Sequence, residues 1–177
     1  MVTTTRKICI TAMGTALYVV LALCLQVPVF ENYYLCLGYV AMMVFCYYFG
    51  AGSGMTVGVL GVVLYCLLTN GLRGLPGWAA GNLVIGLSVG WTCNATKHMA
   101  NPMLRNLIIA AAIILSTAIS ILGVKSIVEV ALYAQPMVVR MAKNIYGFVA
   151  DVIVLIFSLP ICACLKKTVK KLEAKMI

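Results

Sequence analysis

The sequence predicts an all-α membrane protein: a single bundle of six transmembrane helices, both termini cytoplasmic, with residues 1–177 forming one domain. Three observations predict it. The chain is 64% hydrophobic and only 10% charged, with mean hydropathy +1.09, whereas soluble domains are roughly 45 to 50% apolar. Its apolar residues fall into six runs, most of them near the roughly 20 residues a helix needs to cross a bilayer. Its basic residues sit at the ends of those runs. For six crossings, Arg6, Lys7, Lys97, Arg105, Lys166, Lys167, Lys170, Lys171 and Lys175 lie on the side of the termini, and only Arg73, Lys125, Arg140 and Lys143 on the other. The positive-inside rule makes the terminal side cytoplasmic. The net charge of +9 is thereby a membrane topology signal, and the partner it implies is a lipid bilayer, with no nucleic acid. The first run is too long, and followed by too much of the same, to read as a cleavable secretion signal.

Taken in order, Arg6 and Lys7 precede a run from Ile8 to Val27, ended by Pro28, Glu31 and Asn32. The second run, Tyr33 to Phe49, and the third, Gly54 to Leu68, are shorter than ideal and are counted as crossings. Gly50, Gly54, Gly58 and Gly61 provide a small-residue face on which helix backbones can approach closely. A turn rich in Gly and Pro, residues 70–77, carries Arg73 and leads into the fourth run, Trp78 to Ala95, on which Asn82, Gly86 and Gly90 share a face. Lys97, His98, Asn101 and Pro102 form a loop before the fifth run, Leu104 to Val124. The connection from Lys125 to Lys143 reads as an extension of the fifth helix, a break at Pro136 and a short lid. In this topology Glu31 and Glu129 face outside. The last run, Arg140 to Leu165, is followed by a basic tail that is surface-bound or solvated.

That last run carries the one acidic residue inside an otherwise apolar stretch, Asp151. An ionised carboxylate at that depth costs a few kcal/mol on insertion scales, so it needs a partner, a proton or a wet cavity. On a helix, Arg140, Asn144, Gly147, Asp151 and Ser158 form one stripe, with Asp151 about 11 Å below Asn144. The stripe reads as a polar inlet opening outward. The alternative is a structural role, a carboxyl bonded to a neighbouring helix. The eight cysteines lie mostly within apolar runs with no C-x-x-C pair, which reads as packing rather than metal binding. His98 stands in a polar loop with no second ligand at metal spacing. No metal and no cofactor are expected.

Ala12-Met-Gly-Thr-Ala16, an Ala-x-x-x-Ala in the cytoplasmic half of the first of six short helices, follows a basic N-terminus, and the chain ends in a Lys-rich tail. In this the chain resembles the substrate-binding S components of energy-coupling factor (ECF) transporters, over essentially its whole length. The resemblance implies a protein that binds a vitamin or related micronutrient in an outward pocket and hydrolyses nothing itself. It also implies docking on a transmembrane coupling subunit served by two ATPase subunits, with Ala12 and Ala16 as the contact, the loop from Pro28 to Tyr34 over the pocket, and the outer parts of helices four to six lining it.

The pocket residues themselves are read from the polar stripe. Asp151, Asn144, Asn82, Arg140 and Lys143 are the candidate polar groups, and Trp78, Tyr146, Tyr34 and Tyr133 the candidate aromatic surfaces. Asp151 and Asn82 suit the hydrogen-bonding edge of a planar heterocycle, an aromatic side chain its face, and Arg140 and Lys143 a carboxylate or phosphate near the mouth. Two other classes of membrane protein require groups of their own. An intramembrane enzyme acting on a lipid-like substrate needs a nucleophile with its base, a carboxylate pair or a metal motif, none of which is present. A stand-alone secondary carrier needs an ion relay or an internal repeat, and neither is evident.

Overall fold

The computed structural model describes residues 4–24, 26–30, 33–134 and 136–175, with side chains from residue 5 but not at 26–30, 33–34 or 167–175. Glu31 and Asn32, which end the first apolar run, lie outside it, as do Gln135, in the connection before the last run, and the side chain of Tyr34.

Six helices and one hairpin make up the described chain. Helix α1 spans Thr4–Cys24. Two short antiparallel strands follow, β1 (Gln26–Phe30) and β2 (Tyr33–Cys36), with Gln26 opposite Cys36 and an irregularity between Pro28 and Phe30. They are the departure from the all-α expectation. Pro28 lacks the N–H and the freedom in φ that a helix interior requires, and the Val and Tyr residues around it favour extended backbone. The second apolar run is therefore divided, and helix α2 takes only Gly38–Phe49. At about 1.5 Å per residue its 12 residues reach about 18 Å, well short of a hydrocarbon core of about 30 Å.

Helix α3 (Ala51–Leu68) follows at once, across a turn in which Gly50 adopts φ 85°, a conformation glycine reaches without steric cost. Helix α4 (Leu75–Ala95) comes next. Asn101 caps helix α5 by accepting from the backbone N–H groups of Met103 and Leu104, with Pro102 in the first turn. Helix α5 runs without interruption over Pro102–Tyr133, passing through a π-helical stretch at Ala118–Lys125. It stops at Ala134, whose φ is 49°, ahead of Pro136. Helix α6 (Met137–Lys175) then begins directly. The extension and the break are as expected, but the lid is not: the residues assigned to it continue one helix and start the next.

The glycine face works by close approach. A Cβ at Gly54 would lie 2.2 Å from Cys46 Sγ, one at Gly58 2.5 Å from Met42 Sδ and one at Gly61 2.4 Å from the Tyr18 ring, so α3 seats against α2 and α1. Gly86 and Gly90 do the same for α4, where a Cβ would meet the Met55 and Ala51 Cα atoms at 2.6 and 2.4 Å. Tyr18, Tyr39, Met42, Ile85, Ile113 and Leu155 are completely buried in the core these contacts enclose. Outward the chain shows an apolar surface that includes Leu107, Leu115 and Phe157, more than a protein in water sustains. Among the described residues, four helices are long and apolar enough to cross a membrane: α1, α3, α5 and α6. This is a multi-pass membrane protein.

Candidate functional site

One end of the molecule gathers the hairpin, the α3–α4 turn and the α5–α6 turn, since Tyr18 meets Cys36 and Tyr133 meets Arg73. Beneath that end the polar stripe of α6 faces inward as expected, with Asn144, Asp151 and Ser158 all buried. The alternate face, including Ile145, Val149, Ile153 and Phe157, is exposed. A helical period of 3.6 applied to that sequence produces the division.

Polar groups collect at two depths. The deeper one centres on Tyr39, at the start of α2. Its hydroxyl donates toward Asn82 Oδ1 at 2.8 Å and toward Asp151 Oδ2 at 3.1 Å, and accepts from Trp78 Nε1 at 2.8 Å. Asn82 Nδ2 donates to the Gly58 carbonyl at 3.0 Å and to the Tyr18 hydroxyl at 3.3 Å. The Tyr18 hydroxyl in turn lies 3.6 Å from Cys36 Sγ at the end of the hairpin. Helices α1, α2, α3, α4 and α6 and the hairpin thus all contribute to one hydrogen-bonded cluster. Trp78 and Asn82 occupy positions four apart on α4, which places both on its inner face. The Tyr18 and Tyr39 rings meet edge to face at 6.2 Å, and Tyr65 meets Trp78 at 5.6 Å.

The shallower level lies nearer the α5–α6 turn. Asn144 Nδ2 donates to Ser126 Oγ at 2.9 Å and to Glu129 Oε2 at 3.3 Å, and Arg140 pairs with Glu129 at 3.6 Å. The guanidinium groups of Arg73 and Arg140 sit 5.6 and 6.0 Å from the Tyr133 ring centre. The Tyr133 hydroxyl donates to the Arg73 carbonyl. Glu129 is only 5% exposed. Extension of α5 to Tyr133 turns it inward against Asn144, and the pairing with Arg140 offsets the cost of burying its charge.

Of the residues singled out from sequence, the structure brings Asp151, Asn82 and Trp78 together at the deeper level and Asn144, Arg140 and Tyr133 together at the shallower one. Lys143 and Tyr146 lie on the exposed side of α6. Tyr39, Tyr18, Ser126 and Glu129 were not anticipated. A tyrosine hydroxyl within an apolar helix needs a partner, and that was the signal available for the first two. On α1, Ala12 and Ala16 are exposed while Gly14, Thr15 and Tyr18 are buried. Ala12 also borders a groove of about 320 Å³ between α1 and α3, with Thr11, Gly52, Ser53 and Thr56 along it and Lys7 at its edge.

The structure is that of a multi-pass membrane helix assembly that gathers buried hydrogen-bonding groups and aromatic rings beneath one end. The chain matches the family model of the ECF-type riboflavin transporter S component over residues 2–167, and so belongs to that family. It is a transporter subunit and not an enzyme. No curated protein and no solved structure matches it significantly.

Proposed function

We propose that this chain is the substrate-capture subunit of an ECF-type importer for riboflavin, crossing the bacterial plasma membrane six times with both termini in the cytoplasm. The observation that carries the reading is the family match over nearly the whole chain. The deeper cluster supports it chemically. A planar heterocycle needs a few convergent hydrogen-bonding groups and aromatic faces in an apolar setting, and Asp151, Asn82, Trp78 and Tyr39 supply them. In this reading the two shorter or less apolar helices, α2 and α4, complete the six crossings as inner members sheltered by the other four. The hairpin lies over the deeper cluster, and Ala12 and Ala16 form the strip that docks on a coupling subunit served by two ATPase subunits. Their exposure on a face of α1 turned away from Tyr18 favours this assignment.

The test is to replace Ala12 or Ala16 with Trp in cells that co-express the coupling and ATPase subunits. Riboflavin uptake and co-purification of the three partners are expected to be lost, with the affinity of the isolated chain for riboflavin unchanged. A binding loss as large as the transport loss contradicts the assignment.

A further inference from the structure

The end of the molecule opposite the hairpin gathers the turn between α2 and α3, the loop before α5 and the last buried turns of α6. A Cβ at Gly50 would lie 3.1 Å from Asn94 Nδ2, and the Tyr48 hydroxyl donates to the Cys162 carbonyl. The Arg105 guanidinium sits 4.4 Å from the centre of the Tyr47 ring, which in turn meets the Tyr48 ring at 5.1 Å. One arginine of α5 is thus drawn in against the end of α2.

Arg105 is drawn in without a counter-charge. Of the four acidic residues in the sequence, Glu129 and Asp151 belong to the polar levels of the other end, and Glu31 falls in sequence between the two strands of the hairpin. Glu173 stands on α6 about 16 Å further along the axis than Cys162. Among the described residues the Arg105 side chain has no ion pair and no hydrogen bond, and its Nε is enclosed without a partner. A charge taken from water without a partner costs stability, and a guanidinium has only donors to offer. Stacking on Tyr47 covers one face of its plane and leaves the edge with the two terminal nitrogens for an acceptor. The start of α5 has nothing else to give an anion. Asn101 already takes the N–H groups of Met103 and Leu104, the Arg105 N–H goes to the Asn101 carbonyl, and Pro102 has none.

Next to Arg105, Met103, Leu104 and Leu107 are exposed, and with Asn101 they border a groove of about 360 Å³. An apolar groove therefore runs beside an unneutralised cation at the level where a membrane-crossing helix begins. A free phosphate would fill only the polar half of this arrangement. A lipid whose headgroup carries an ammonium would bring a second cation to a surface with no carboxylate among its described residues.

We propose that Arg105 and this groove bind one anionic phospholipid, with its phosphate on the guanidinium edge and an acyl chain along Leu104 and Leu107. Lys97 and Lys166, exposed at the same end, add a general attraction for a negative leaflet but do not define the site. The site is separate from whatever ligand the other end holds.

The test takes the purified full chain, stripped of lipid in a neutral detergent, and titrates it with phosphatidylglycerol and phosphatidylethanolamine of the same acyl chains. Bound lipid is counted by native mass spectrometry, with thermal melts alongside. The wild type should hold one phosphatidylglycerol about 10-fold to 150-fold more tightly than phosphatidylethanolamine, the range for a hydrogen bond to a charged group, and phosphatidylglycerol should raise its melting temperature. Arg105→Gln should bind the two lipids within about threefold of each other. Lys97→Gln, which removes an equal charge from the same end, should keep the preference. A wild type that binds both lipids within about threefold overturns the proposal without needing any variant to fold. So does an equal loss in Lys97→Gln and Arg105→Gln, which would mean diffuse attraction and no site. Inorganic phosphate that raises the melting temperature as much as phosphatidylglycerol does would make the groove irrelevant and overturn it as well.

Discussion

Tyr39 joins three helices through one oxygen. Removing that oxygen in Tyr39→Phe strands Trp78 Nε1, Asn82 Oδ1 and one oxygen of Asp151 together, and each buried polar group without a partner costs about 1 to 3 kcal/mol. The same deletion at Tyr18 strands chiefly one Asn82 hydrogen, since the contact with Cys36 at 3.6 Å is weak. Thermal melts in detergent should therefore show a larger loss for Tyr39→Phe than for Tyr18→Phe, although both rings are equally buried. Equal losses would mean that ring packing rather than the hydroxyl network sets the stability here. None of this was legible from one chain position at a time. The stripe of Asn144, Asp151 and Ser158 could be read because its period is internal to one helix. The hydrogen-bond partner of Asp151, Tyr39, comes from α2, and a tyrosine in an apolar run looks like packing until the helices are assembled.

At the scale of elements, helix α3 organises the packing: its own glycines meet α2 and α1 on one side, and Gly86 and Gly90 of α4 meet its backbone on the other. At Gly86 and Gly90 the obstacle to a side chain is backbone, which cannot rotate away. Gly86→Ala or Gly90→Ala should force α3 and α4 apart and destabilise the protein by roughly 1 to 3 kcal/mol, as overpacking does. At Gly52 nothing lies within 4 Å of a built Cβ, so Gly52→Ala should be neutral or slightly stabilising through its better helix propensity. A melt in which all three variants behave alike would contradict the close-approach account. The glycine spacing was visible in the sequence; the hairpin was not. Tyr33 to Phe49 is a continuous apolar run, and periodicity alone does not separate a buried strand from a buried helix. Only the short reach of the resulting α2 reveals the division. The inward turn of Glu129 escaped for a related reason: a lone acid near Pro136 reads as loop, and the continuation of α5 beyond its apolar run depends on contacts with α6.

For the whole molecule, the charge asymmetry and the six apolar runs already defined a membrane helix assembly, and the structure adds which helices are self-sufficient. Helices α1, α3, α5 and α6 are apolar enough alone, while α2 and α4 depend on their neighbours for burial. The proposed orientation follows from the positive-inside rule. In a background lacking native cysteines, a cysteine at Gly74, in the α3–α4 turn, should react with an impermeant thiol reagent added to intact cells, and one at Asn101, before α5, should not. The opposite pattern would invert the molecule and turn both polar levels toward the cytoplasm.

The central claim is that Asp151 belongs to a binding site and not merely to a scaffold, and its most direct measurement is a riboflavin titration of the wild type, Asp151→Asn and Ser158→Ala, with thermal melts alongside. Ser158 shares the buried face of Asp151 about two turns further along and, among the described residues, bonds only within its own helix, to the Leu155 carbonyl. The account predicts that Asp151→Asn weakens riboflavin binding about 10-fold to 150-fold with little change in melting temperature, and that Ser158→Ala leaves the affinity unchanged. Equal riboflavin affinity in the wild type and Asp151→Asn, or a fall in melting temperature without a binding loss, would contradict it.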